Sequence, residues 1–67
     1  MTAFTAEEKL KCAERELKLR LQVYPRFVEN GRFSKEKSDR EIALMSAIVE
    51  DYRALAQKDT LFDLANK

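Results

Sequence analysis

Few side chains in this sequence could do chemistry, and their types and spacing exclude most reactions. Histidine is absent and Cys12 is the single cysteine. Nucleophilic arrangements of the Ser-His-Asp or Cys-His kind therefore have no base, and zinc sites needing two or more soft ligands cannot be assembled. Glu14, Glu16, Glu50 and Asp51 lie in two pairs along the chain, but a carboxylate metal centre needs several oxygens converging on one point. At about 100° per residue these four scatter around their helices, so their expected role is solvation. Cys12 reads as a small apolar side chain rather than a reactive thiol. No cofactor and no metal are expected, and an enzyme is the least favoured class.

The remaining candidates are binding residues. Tyr24-Pro25-Arg26, followed by Gly31-Arg32, sets an aromatic ring, a backbone break and two guanidinium groups close together. Arg and Tyr are enriched in binding hot spots, and Arg recognises anions through a planar fork of donors. Tyr24, Pro25, Arg26 and Arg32 are therefore the candidate partner- or ligand-binding residues. The competing structural reading puts Tyr24 in the core, uses Pro25 to bend the chain and leaves Arg26 solvated. Arg20 is expected to form a salt bridge to Glu41.

Those residues must be positioned by helices. Gly and Pro occur once each in 67 residues, and the chain is rich in good helix formers. Thr5-Ala6-Glu7-Glu8 has the form of a capping box, so a helix should begin near Ala6. Leu10, Ala13, Leu17, Leu21, Tyr24 and Val28 fall on one face of it. Pro25 lacks an amide hydrogen for the Leu21 carbonyl and crowds the preceding turn, which predicts a kink or short break at Tyr24-Pro25. Asn30-Gly31 should end the helix, and Ser34 should cap a second one with Glu36 in its first turn.

The second helix is predicted from about Lys35 to Lys58. Ser38, Ile42, Met45, Ile48, Val49, Tyr52, Leu55 and Ala56 share its broad face. Asp59 and Thr60 should cap a separate last turn containing Leu61, Phe62 and Leu64, with Phe4 meeting that segment. A short connection between long helices makes them antiparallel. The predicted fold is all-α: one hairpin domain over residues 1–67, with a kinked first helix and a short C-terminal helical turn. Its register should place position 24 near 42, 20 near 45, 17 near 48 and 49, and small Ala13 against bulky Tyr52.

A simple hairpin leaves residues over. Cys12, Leu19, Val23 and Phe27 make a second apolar row about 140° from the first at about 100° per residue. Two helices alone enclose little core, so this row is read as a self-association surface and the chain as part of a helical-bundle oligomer, a dimer first of all.

A net charge of +1 with interleaved signs argues against a protein that neutralises many phosphates. The apolar stretches are far shorter than the roughly 20 residues of a membrane span. The N-terminus has no basic region followed by an apolar core. A soluble cytoplasmic protein is expected, and a single cysteine agrees with a reducing compartment.

Tyr24-Pro25-Arg26-Phe27-Val28, then Gly31-Arg32, then Glu41, Met45, Ile48 and Asp51-Tyr52, resembles a group of small uncharacterised proteins encoded by bacteriophages and prophages. The likeness covers about residues 8 to 55. It implies a protein acting in the cytoplasm of an infected bacterium, where short accessory proteins of this kind bind and block a host factor. The function expected is stoichiometric binding to a bacterial host protein, a regulator or defence component. Two alternatives stand beside it. One is a nucleic-acid-associated protein using Lys11, Arg15, Lys18, Arg26 and Arg32. The other binds a small anionic nucleotide ligand at a subunit interface lined by Tyr24 and Arg26.

Overall fold

A computed structural model describes the backbone of residues 3–65 and the side chains of residues 3–58. Two helices, α1 (Ala6–Glu29) and α2 (Lys35–Ala65), make up the described fold, and they pack against each other as an antiparallel hairpin. The expectation that Phe4 meets Leu61, Phe62 or Leu64 lies outside the described side chains.

Helix α1 begins at a complete capping box. The Thr5 Oγ1 accepts from the Glu8 backbone amide at 3.1 Å, and the Glu8 carboxylate accepts from the Thr5 amide at 3.2 Å. Two of the amides left without intrahelical partners at a helix start are thereby satisfied. The predicted break at Pro25 does not occur: α1 is continuous through it to Glu29. Proline removes one helical hydrogen bond, but it falls in the last turns, where packing around Tyr24 and Phe27 holds the backbone helical.

The turn is built by Gly31. At φ +76° it occupies the left-handed region that side chains avoid. Its amide bonds to the Val28 carbonyl at 3.1 Å and the Arg32 amide to the Phe27 carbonyl at 2.8 Å, the paired bonds of a Schellman ending. Ser34 then caps α2, its Oγ accepting from the Lys37 amide at 3.1 Å.

Helix α2 runs 31 residues to Ala65, so the separate last turn predicted after Lys58 is instead a continuation of the same helix. Asp59 and Thr60 are weak helix residues but do not terminate it, because no Gly or Pro follows to force an end.

The seam between the helices follows a spacing of four and three residues. Ala6, Leu10, Ala13, Leu17, Arg20, Tyr24 and Phe27 on α1 are all buried or half-buried, as are Ser38, Ile42, Met45, Val49, Tyr52 and Ala56 on α2. This is the heptad spacing by which two helices keep a shared stripe in contact. Ala13, Met45 and Val49 form the buried apolar cluster, with Leu10 and Leu17 packed against it. Three residues expected to face the core lie at its margin or beyond it. Leu21 is 53% exposed, Leu55 48% and Ile48 36%. A two-helix seam is narrow, and a stripe broader than its heptad positions spills onto the flanks.

Candidate functional site

The tip of the hairpin is an aromatic cluster ringed by cations. Tyr24, Phe27 and Phe33 pack together. Tyr24 and Phe27 are stacked with centroids 6.0 Å apart, while Phe33 meets both edge-on at 5.0 and 5.1 Å. Such offset and edge-to-face contacts match the positive ring edge to the negative ring face. Arg20 lies over Tyr24 at 5.8 Å, Arg32 over Phe27 at 5.6 Å and Lys37 over Phe33 at 4.6 Å. Each places a cation against a ring face, an arrangement stabilised by the ring quadrupole.

The candidate binding residues divide accordingly. Tyr24 is half-buried in this cluster, and Arg32 is exposed but laid across Phe27. Pro25 and Arg26 are exposed on the outer side of the last turns of α1, where a cation is favoured by the negative end of the helix dipole. Phe33 joins the cluster although it sits between the two periodic segments and belongs to neither stripe.

The candidate self-association row also divides. Cys12 and Leu19 are exposed, but Val23 and Phe27 are half-buried, Phe27 within the tip cluster. A second exposed row runs along α2 through Leu44, Ile48 and Leu55, although the helical period puts Ile48 and Leu55 on the core face. The spacing of four and seven residues puts these three on one line.

Polar contacts show which way each side of the hairpin faces. Arg20 does not bridge to the Glu41 carboxylate as expected. Its Nε pairs with Glu16 at 3.0 Å on its own helix, and its Nη1 donates to the Glu41 backbone carbonyl at 2.9 Å. On the same side, Lys9 lies 5.9 Å from the Tyr52 ring centre. On the opposite side Arg53 pairs with Glu50 and, across the seam, with Glu14 at 3.3 Å. The hydrogen bond to Glu50, with its charge and that of Glu14, holds the Arg53 guanidinium above its ordinary value. Glu14, Glu16 and Glu50 are thus ion-pair partners rather than only solvated side chains.

Near the start of α1, Phe4, Glu8, Lys9, Lys11, Cys12 and Arg15 line an open groove of about 470 Å³. Among the described residues no group of acidic or cysteine side chains is placed to hold a metal ion, and no helix is long and apolar enough to cross a membrane. Compared with known proteins, the chain matches no family model, no curated protein and no solved structure.

Proposed function

We propose that this chain acts by stoichiometric binding to another protein, and that it does so as a homo-oligomer, a dimer first of all. The observation that carries the reading is the exposure of Leu19, Leu21, Leu44, Ile48 and Leu55 on a hairpin whose buried apolar cluster, among the described residues, is Ala13, Met45 and Val49. Apolar surface in that proportion is costly in water and is characteristic of surfaces that become covered. The phage resemblance supplies the target class: a bacterial host regulator or defence protein in the cytoplasm. Arg26, exposed beside Pro25 on the outer side of the last turns of α1, is the recognition group at the tip.

A second reading is favoured by one feature. Lys11, Arg15, Lys18 and Arg26 all lie exposed along the outer side of α1, the disposition of a helix laid against phosphates. Lys11 is partly neutralised by Glu7 at 3.7 Å. The anionic-ligand alternative draws on the same Arg26 and Tyr24.

One experiment separates these readings. The tagged protein is expressed in bacteria and its retained partners are identified by mass spectrometry, with Arg26→Ala alongside. Binding to mixed-sequence DNA and RNA is titrated at low and moderate salt. A host protein retained by wild type and lost with Arg26→Ala supports the reading. Nucleic-acid binding whose affinity falls steeply with salt, by a log-log slope of roughly 0.9 per phosphate, replaces it with the second.

A further inference from the structure

We infer that a second copy of this chain docks on one defined side of the hairpin, the side carrying Cys12, Leu19 and Val23 on α1 and Leu44, Ile48 and Leu55 on α2, to form an antiparallel four-helix bundle. The inference rests on the association part of the proposed function and deepens it by naming the face, the occupant and the arrangement.

Three observations carry it. The first is geometric. Lys9 and Arg20 flank the seam on the side where α1 meets Tyr52 and Glu41. At about 100° per residue, Cys12, Leu19 and Val23 continue round α1 in that direction, to roughly 100° from the seam. Leu44, Ile48 and Leu55 do the same on α2, beyond Glu41 and Tyr52. Both helices therefore turn a second apolar row to the same side. A helix with two apolar rows about a quarter-turn apart is built for two neighbours, as in a four-helix bundle.

The second is area. A compact monomer of 7.8 kDa exposes about 4,400 Å², whereas this chain exposes 5720 Å². Its radius of gyration is 15.7 Å, against about 11 Å for a compact chain of this length. The excess is larger than the roughly 800 Å² that each partner buries in a standard interface.

The third is charge. Asp51 interrupts the α2 row, and Arg15 lies beside Cys12 on α1; neither makes an ion pair among the described residues. Cys12 and Asp51 stand near the same level of the hairpin, since Lys9 meets Tyr52 and Glu14 meets Arg53. A two-fold axis parallel to the helices lays α1 of each copy on α2 of the other without shifting that level. Each Asp51 then comes beside Cys12 and Arg15 of the partner subunit, and Leu19 enters between Leu44 and Ile48 of the partner subunit. The Glu16–Arg20 pair enters the bundle already neutralised, with the remaining Arg20 donor bonded to the Glu41 carbonyl.

The test reads mass and crosslinking. Light scattering at micromolar concentration should give twice the chain mass. Leu44→Arg should shift the protein toward monomer, whereas Leu21→Arg, exposed on the opposite side, should not. Within one chain Cys12 and position 51 share a side but each lies more than a quarter-turn round its own helix from the seam, which sets their Cα atoms farther apart than the roughly 7 Å a disulfide spans, so Asp51→Cys treated with a thiol oxidant should form a covalent dimer through the partner's Cys12. Adding Cys12→Ser should abolish it. Should Leu44→Arg fail to fold, the crosslink decides. A monomer mass for wild type overturns both the bundle and the association it rests on. A dimer mass without the crosslink overturns this bundle alone, and retention of a host protein by the tip is read separately through Arg26→Ala.

Discussion

Arg20 on α1 joins its own helix to the facing one: its Nε pairs with Glu16 at 3.0 Å while its Nη1 donates to the backbone carbonyl of Glu41 at 2.9 Å. It occupies a seam position that an aliphatic residue would fill in a regular heptad. Its guanidinium remains satisfied only because the Arg fork reaches two acceptors at once. Arg20→Lys keeps the charge but cannot span both, so it should cost about 1.5 to 2 kcal/mol in urea unfolding, at the lower end of the range for hydrogen bonds to charged groups. Glu16→Gln should cost less, because the bond to Glu41 survives it. Equal losses from the two variants would mean that the ion pair, and not the cross-helix bond, matters.

The core prediction turns on two neighbouring residues of α2. Val49 is 2% exposed and Ile48 36%. Val49→Ala should therefore cost about 2 kcal/mol, and Ile48→Ala less than about 1 kcal/mol in the monomeric hairpin. The check is a pair of chemical denaturation curves at a concentration where the protein is monomeric. A larger loss at Ile48 under those conditions would show that its row is covered within the hairpin itself rather than by a second copy.

This pair also shows what the sequence could reveal. The 3.6-residue period placed both residues on one broad apolar face of α2, and the hairpin, the capping box at Thr5 and the turn at Gly31 were all legible from local patterns. How much of that face one partner helix covers depends on the width of the contact, which no local pattern encodes. The same limit hid the exposure of Leu21 and Leu55. It also assigned Val23 and Phe27 wholly to an outer surface, although the tip half-buries them. Phe33 was missed for a different reason: its partners Tyr24 and Phe27 come from the helix before the turn, so only the closed turn brings them together.

Pro25 lies exposed inside α1 and leaves the Leu21 carbonyl without its helical donor. Pro25→Ala restores that donor in a backbone already helical. It should stabilise the protein by about 1 kcal/mol or more, less the gain in unfolded-chain entropy. Thermal unfolding measures it. A lower melting temperature would show that the rigid ring itself holds the tip. If Pro25 serves recognition, partner binding should weaken in the same variant as stability rises.

Gly31 needs its conformation but not its empty space, since a Cβ placed there would meet nothing within 4 Å. Gly31→Ala should therefore cost about 1 to 2 kcal/mol through the left-handed backbone alone. Gly31→Asn should recover part of the loss, because Asn tolerates that region. If the two substitutions were equal in a melting experiment, a steric cause would replace the conformational one.

The last prediction separates folding from recognition at the tip. Phe33 meets Tyr24 and Phe27 edge-on at 5.0 and 5.1 Å and carries Lys37 on its face at 4.6 Å. Phe33→Ala removes all three contacts and should cost about 2 to 3 kcal/mol, slightly below the range for a fully buried ring because Phe33 is half-buried. Arg26 is exposed and makes no ion pair among the described residues, so Arg26→Ala should leave the melting curve within about 0.5 kcal/mol of wild type. A partner that reads the guanidinium should then be lost with Arg26→Ala at unchanged stability, whereas Phe33→Ala should weaken it only as far as the tip loosens. Melting curves and retention of the partner, measured on the same two preparations, give both quantities. Retention unchanged in Arg26→Ala and abolished in Phe33→Ala would move the recognition surface from the guanidinium to the aromatic cluster.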